Sequence, residues 1–432
     1  MMRNSLQKLR ISLWAICLIA ATASAQSSQV ITTGNAPNSP ATQSKHYVVL
    51  VSLDGFRYDY AQKYSAKNLL AIAKTGASAP DGMIPSYPSI TFPNHYTLVT
   101  GLYPEHHGIV ANSFYDPVRK ARYSYTDPAS DTDGAWYGGT PLWVLAEQQG
   151  MRAACFFWPG SEAAIQGIRP SYYLHFDTHY PDEKRIDQVV EWLKLPPAER
   201  PHFITLYYYE PDHSGHQFGP DSPEVAAAVH HVDELIGRLH AQLDALHLPI
   251  DLIVVSDHGM AKVQGDWITL DKYADLASFD ADGSLLYAKG DPAEAEAAAQ
   301  KAYEQLKKAD SRFTVYRRAK VPAALDFNQN PREGDPVLVP TGPYIFRAHA
   351  PTLDPGKPER PAPKGMHGYD PATMKDMRAI FYAEGPDIRP NTTVKPFENV
   401  NLYPLIAQIL GLEPPKVDGN LNVLSGILVE NP

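Results

Sequence analysis

Apolar residues in this chain fall into short, near-continuous runs: YVVLVSLDG (47–55), RAACFFWPG (152–160), HFITLYYYEPD (202–212), DLIVVSDHG (251–259) and MRAIFYAEGP (377–386). Each is bounded by Gly, Pro or Asp and is apolar at odd and even positions alike, the pattern of a strand buried on both faces. Between the runs the apolar period lengthens to three and four. With Asp221 or Ser222 as cap and Pro223 in the first turn, Val225, Val229, Val232, Ile236, Leu239, Leu243 and Leu246 line one side of a long helix. Shorter helices are predicted over 141–150, closed by Gly150, over 182–195 and over 399–411. Strands alternating with helices predict an α/β fold, with a mostly parallel central sheet covered by helices on both faces. No internal repeat is visible. From about 275 to 330 the rhythm breaks into SLLYAKG, an Ala/Glu/Lys-rich helix (292–309) and RFTVYRR, which predicts a small α+β insertion with a solvated helix.

The first 25 residues follow neither pattern. Arg3, Lys8 and Arg10 precede an apolar run from Ile11 to Ala21, and Ala23-Ser24-Ala25 makes a small-residue cleavage site, which predicts a secretory signal and a periplasmic or secreted product. That run is too short to span a membrane comfortably, and nothing downstream approaches ~20 uninterrupted apolar residues, so no transmembrane segment is expected after cleavage. Residues 26–45 are polar and aperiodic and predict a flexible linker, leaving 46–432 as one folded unit, expected to be a monomer. Loss of the signal removes Cys17 and leaves Cys155 alone, so no intramolecular disulfide can form. The formal charge of −10 becomes more negative still without the signal's cations. Phosphate neutralisation needs clustered Lys and Arg, so this composition excludes general nucleic-acid binding.

In parallel sheets ligands gather beyond the carboxyl ends of strands. Asp54 closes the first run, Asp212 and His216 follow the third in EPDHSGHQFGP, Asp257 and His258 close the fourth in SDHGM, and His367 lies in the Gly-rich turn KGMHGYDP. An Asp-Gly or Asp-His after one strand is ordinarily a turn. Three aspartates and three histidines together are a donor set that zinc accepts, enough for two sites of three ligands each. Two divalent cations about 4 Å apart can clamp phosphoryl transfer. Thr91, at a predicted helix start in PSYPSITFPNHYTLVTGLYPE, then has two readings: a simple N-cap, or a nucleophile. Its hydroxyl has no His or Lys beside it in sequence, and a metal that lowers the pKa of bound water from about 15.7 to about 7 would act similarly on an alcohol. The helix's first-turn N–H groups would face a phosphoryl oxygen.

TFPNHYTLVTGLYPEHHGIVAN, EPDHSGHQFGP, SDHGM and GMHGYD, in that order, resemble the nucleotide pyrophosphatase/phosphodiesterase branch of the alkaline phosphatase superfamily. The resemblance runs from about His46 to about residue 425, and makes 46–432 a phosphodiesterase catalytic domain. It implies two zinc ions per chain, one held by Asp212, His216 and His367, the other by Asp54, Asp257 and His258 with Thr91 beside it. It also implies that Asn112 helps to bind a phosphoryl oxygen and that Thr91 forms a covalent intermediate, which water then hydrolyses. The expected form is a bacterial, exported, single-domain member, without the cysteine-rich repeats and nuclease-like domain of some animal relatives.

A diester carries a second organic group that needs a pocket. Phe92 follows Thr91, and Trp158, Tyr173, Phe176 and Tyr207 add aromatic surface able to stack on a nucleobase. By resemblance Phe92 and Phe176 form the base slot, with Tyr207 on the sugar side. Nucleotide substrates such as ATP, dinucleotides and 5′-phosphodiesters are therefore expected. A choline or glycerophospholipid phosphodiesterase, a phosphomonoesterase of the same superfamily and a zinc-stabilised binding protein are the alternatives. Glu105-His106-His107 is expected to be solvated or structural, and His230 and His231 to be surface or packing residues.

Overall fold

The computed structural model describes residues 29–351 and 361–429; the signal lies outside the described residues. Its main sheet runs, edge to edge, Ile31–Thr32, Tyr172–Tyr173, Ala153–Phe156, Phe203–Tyr208, Tyr47–Leu53, Ile250–Val255, Phe381–Glu384, Ala77–Ser78 and Thr392–Thr393. The five strands from Tyr172–Tyr173 to Ile250–Val255 are parallel, and Phe381–Glu384 joins antiparallel to Ile250–Val255. All five predicted strands are present.

Period-two alternation explains the uninterrupted hydrophobicity. In Tyr47–Leu53, Val48 and Leu50 enter the core on one face while Tyr47, Val49, Val51 and Leu53 enter the other. Ile250–Val255 divides likewise, Ile253 and Val255 against Leu252 and Val254. Both faces are dry because helices cover both. Helix Pro223–Asp244 buries Val225, Val229, Val232, Ile236, Leu239 and Leu243 on one side, and the Ser222 hydroxyl accepts the Val225 N–H at 3.2 Å as its cap. Each such aliphatic contributes roughly 1.5–3 kcal/mol. On the other face Leu402–Leu410 is apolar almost all round and ends at Gly411 in the left-handed conformation.

Two sequence expectations need correction. The stretch expected to be a flexible linker is part of the fold from residue 29 on: Ile31–Thr32 pairs with Tyr172–Tyr173, and the buried Asn38 donates to the Pro197 and Arg200 carbonyls and accepts from the Arg152 N–H. Its polarity answers backbone groups, which composition cannot reveal. The insertion is also longer than 275–330. Its sheet, ordered Phe279–Asp282, Leu285–Ala288, Val337–Pro340 and Phe313–Tyr316, takes its third strand from beyond that boundary. The insertion has its own core from Ile268 to Ala348, and helix Pro292–Leu306 gives that core only Ala302 and Leu306 as fully buried members. No helix among the described residues is long and apolar enough to cross a membrane.

Helix Lys67–Thr75 starts after Ala66, which offers no capping side chain. Asp233, from the middle of the long helix, supplies the cap across the interface: its carboxylate accepts the N–H groups of Asn68 and Leu69 and the Asn68 amide. Asp233→Ala strands these donors, and stability should fall by about 2 kcal/mol in urea unfolding.

Candidate active site

The parallel strands run in register, Ser52 beside Tyr207 and Val255, so their carboxyl ends open at one edge. Asp54 and Asp257 emerge directly there. The Asp54-Gly55 turn touches the start of helix Asp212–Phe218: the Asp212 N–H donates to the Asp54 carbonyl, and the Gly55 N–H to Asp257 Oδ1. A Cβ on Gly55, which has φ +65°, would stand 2.8 Å from the Asp212 Cβ, so the turn needs glycine. Within that short helix Asp212 and His216 are one turn apart and share a face, 3.4 Å between Oδ2 and Nε2. His367 follows strand Gly365–Met366, paired with Ala261–Lys262 just after His258, and its ring stacks on His258 at 3.6 Å.

Each of these three imidazoles fits donation of its Nδ1–H to a backbone carbonyl: His216 to Gly365 (2.9 Å), His258 to Gly259 (2.9 Å), His367 to Ser89 (2.8 Å). That tautomer leaves every Nε2 as a bare lone pair. The His216 and His367 Nε2 atoms face each other at 3.2 Å, and His258 Nε2 lies 2.9 Å from Asp257 Oδ2. Asp54 Oδ1, Asp212 Oδ1 and Asp257 Oδ2 are buried with no hydrogen-bond donor. Lone pairs directed at lone pairs in a buried site require positive charge between them, and the donor set suits divalent cations. Electrostatics agree. Burial, then Asp257 and Asp212, push the Asp54 carboxyl up, and burial, then His258 and His216, hold His367 neutral. Burial also opposes charge on Asp257 and on His258, but each raises the other's charge across their contact, so with no cation between them a proton on His258 is the positive charge that keeps Asp257 ionised.

The geometry groups Asp212, His216 and His367 within 4.8 Å, the first expected ligand set. For the second, His258 is near both Asp54 (3.7 Å) and Asp257, while Asp212 also groups with Asp54 and His258. Thr91 is the first residue of helix Thr91–Thr100, not its cap: Ile90 occupies the cap position in extended backbone. The Thr91 hydroxyl instead stands 3.3 Å from His258 Nε2. Asn112 Oδ1 accepts the Phe92 N–H at 2.9 Å, which fixes its amide beside the helix start.

His95 is not among the residues that the sequence singles out. It lies one turn after Thr91 and is wholly buried, with Nδ1 2.9 Å from the Thr91 carbonyl and 3.4 Å from Asp257 Oδ2, and Nε2 2.8 Å from the Ser52 hydroxyl. The four-residue spacing from Thr91 is the available signal, masked by apolar neighbours.

The aromatic set separates. Phe176 is 49% exposed and Phe92 is partly exposed, whereas Trp158 and Tyr173 are buried. Trp158 spends its indole N–H on the His95 carbonyl, and Tyr173 packs in the core at the sheet edge, which removes both from the substrate surface. Tyr207, expected beside a sugar, is buried and donates its hydroxyl to Asp54 Oδ2 at 2.6 Å. Tyr125, 46% exposed with its ring 5.2 Å from Phe92, is an aromatic that the sequence does not single out. Glu105 and His107 are structural: Glu105 accepts the Asn328 N–H, and burial takes His107 down to about 3.

Residues 48–370 match the family described as type I phosphodiesterase/nucleotide pyrophosphatase. The chain is 35% identical over 415 residues to human ectonucleotide pyrophosphatase/phosphodiesterase family member 1, covering 92% of this chain and 43% of that one. It therefore spans less than half the length of that relative. An uncharacterised pyrophosphatase/phosphodiesterase of Schizosaccharomyces pombe is 35% identical over 391 residues, 84% of this chain and 77% of its own. Murine ectonucleotide pyrophosphatase/phosphodiesterase 5, solved as an inactive threonine-to-alanine variant with AMP, superposes with a TM-score of 0.81 at 30% identity, covering 89% of this chain and all of that one. With this match over most of its length, the chain belongs to the type I phosphodiesterase/nucleotide pyrophosphatase family.

Proposed function

We propose that this chain hydrolyses nucleotide phosphodiester and pyrophosphate bonds and releases nucleoside 5′-monophosphates, with Thr91 as nucleophile and two zinc ions per chain. The observation that carries this is the set of donorless carboxylate oxygens and facing imidazole nitrogens around the Thr91 hydroxyl. Asp212, His216 and His367 would hold one cation and Asp54, Asp257 and His258 the other. Bound there, divalent cations supply a lowered hydroxyl pKa and charge neutralisation on phosphoryl oxygens.

Thr91 Oγ attacks phosphorus; the O–P bond to the leaving group breaks and the threonine proton passes to the departing oxygen. Water oxygen then bonds to phosphorus as the threonyl O–P bond breaks, one of its protons returns to the Thr91 oxygen, and the 5′-monophosphate leaves. The Thr91 N–H at the start of helix Thr91–Thr100 binds a non-bridging oxygen together with the Asn112 amide, whose Oδ1 holds the Phe92 N–H and so keeps that turn in place. Tyr207 orients Asp54 through its hydroxyl, and His95 ties Thr91, Ser52 and Asp257 together. Phe92, with the Tyr125 ring packed against it, and Phe176 offer exposed aromatic surface for the base. The AMP complex of the murine neighbour and its inactivity as a threonine-to-alanine variant support both the substrate class and the nucleophile. On this reading the chain is exported to the periplasm and acts as a monomer.

Thr91→Ala should lower turnover of a thymidine 5′-phosphodiester by about 10³-fold or more while metal content stays at the parent's level. His216→Ala should lose zinc together with activity. Parent activity should vanish on chelation and return with zinc. Faster cleavage of a lysophospholipid than of ATP, or of p-nitrophenyl phosphate than of the diester, would overturn the nucleotide assignment.

His95→Gln should reduce kcat by about 10–100-fold with KM nearly constant, because it disturbs the groups that aim Thr91 and Asp257 and leaves the substrate surface intact. A changed KM at constant kcat would show that His95 does not act through them.

A further inference from the structure

Strand Ile250–Val255 leads at its carboxyl end to Asp257 in the site described above. At its amino end it carries Asp251, roughly 20 Å away at ~3.3 Å per residue. The neighbouring strand begins just after His46, and Phe381–Glu384, which runs the opposite way, delivers Asp387 to the same pole. His46 Nδ1 lies 2.5 Å from Asp387 Oδ2, and the Asp387 N–H donates to Asp251 Oδ1 at 3.0 Å. One donor atom from each of His46, Asp251 and Asp387 lies within 4.8 Å of the others.

Acidic residues near a histidine are commonly just a surface ion pair. Here the third member differs. Asp251 is wholly buried, and its Oδ2 has no hydrogen-bond partner. The backbone holds it rigidly: a Cβ on Gly385 would stand 2.4 Å from Asp251 Oδ1, so the turn bearing Asp387 packs directly on this carboxylate. A buried carboxylate oxygen without a donor costs several kcal/mol unless a proton or a cation neutralises it.

We propose that His46, Asp251 and Asp387 form a separate binding site for one divalent cation of the zinc class at the amino-terminal pole of the sheet. One imidazole and two carboxylates are the mixed N/O set that zinc accepts, with the fourth position left to water. Ligand atoms about 2.0–2.2 Å from a tetrahedral zinc stand about 3.3 Å from one another. Binding therefore widens the His46–Asp387 contact by about 1 Å and draws both partly exposed side chains toward the fixed Asp251. The cation fastens the first core strand to the turn after Phe381–Glu384. That turn in turn holds the end of the described chain, since the Val429 N–H donates to the Asp387 carbonyl. The role is structural, and it is independent of whether the other pole holds zinc.

The test measures zinc per chain in the full-length protein after equilibration with one fixed free-zinc concentration and desalting. His46→Gln, at a partly exposed position, should hold one zinc fewer than its parent, keep parental diesterase activity and lose part of the zinc-dependent rise in Tm. Asp251→Asn should do the same. His179→Gln, at an exposed histidine, should change nothing. The same loss of one should appear when His46→Gln is added to an Asp212→Asn, His216→Ala background, which separates this site from the active site. Equal zinc content and equal zinc-dependent Tm in parent and His46→Gln would overturn the proposal, and would mean that a proton alone neutralises Asp251.

Discussion

Backbone hydrogen bonding between parallel strands forces Asp54, Asp212 and Asp257 together. Once Tyr47–Leu53 lies in register between Phe203–Tyr208 and Ile250–Val255, the residues after each strand share one edge, and carboxylates that repel one another become neighbours. Three imidazoles with their Nδ1–H groups engaged on the backbone bring further lone pairs to the same place. A fold that buries so much unbalanced negative potential is stable only if positive charge is supplied there. The same potential then becomes useful. Under the proposed function, a strong electrostatic demand fixed by rigid elements before substrate arrives is what two-metal phosphoryl transfer requires.

Burial on both faces of the sheet is the condition for that rigidity. Alternate residues of Tyr47–Leu53, Ile250–Val255 and Ala153–Phe156 enter separate hydrophobic clusters, so none of these strands can slip by one residue without reversing its entire side-chain set. The insertion packs around a core of its own but is also fastened to the main core, where Tyr287, Val321, Phe327 and Val337 are buried. The geometry of the site therefore rests on the main sheet, the helix beginning at Thr91 and the clip that carries His367.

Much of this is legible in the sequence because the periodicities are strong. The runs ending in Asp54, Asp212 and Asp257 read directly as strands, and the rule that ligands gather at carboxyl ends unites their acids from the order of residues alone. What is not legible depends on non-local partners. Asn38 is polar in a polar stretch, and nothing in the sequence says that it answers the carbonyls of Pro197 and Arg200. Tyr207 and Trp158 have the composition of a stacking surface, yet their polar atoms are spent on Asp54 and on the His95 carbonyl. His95 sits among apolar residues and looks like core, and only the fold brings it to Asp257 and Ser52.

Thr91 shows how a one-residue shift changes chemistry. As a cap, its hydroxyl would be committed to a backbone N–H two or three residues on. Because Ile90 takes the cap position, the hydroxyl of Thr91 is released from that duty; of the first-turn amides, that of Phe92 is held by Asn112, Pro93 has none, and that of Thr91 is left open. Under the proposed function, local geometry thus separates two tasks: the Thr91 N–H is left to bind an anion and the Thr91 side chain to attack it. His95 closes the arrangement, its Nδ1 lying between the Thr91 carbonyl one turn back and the carboxylate of Asp257. The helix start, the alcohol and the acid beside it are therefore one mechanical unit, and a displacement of any of them moves the other two.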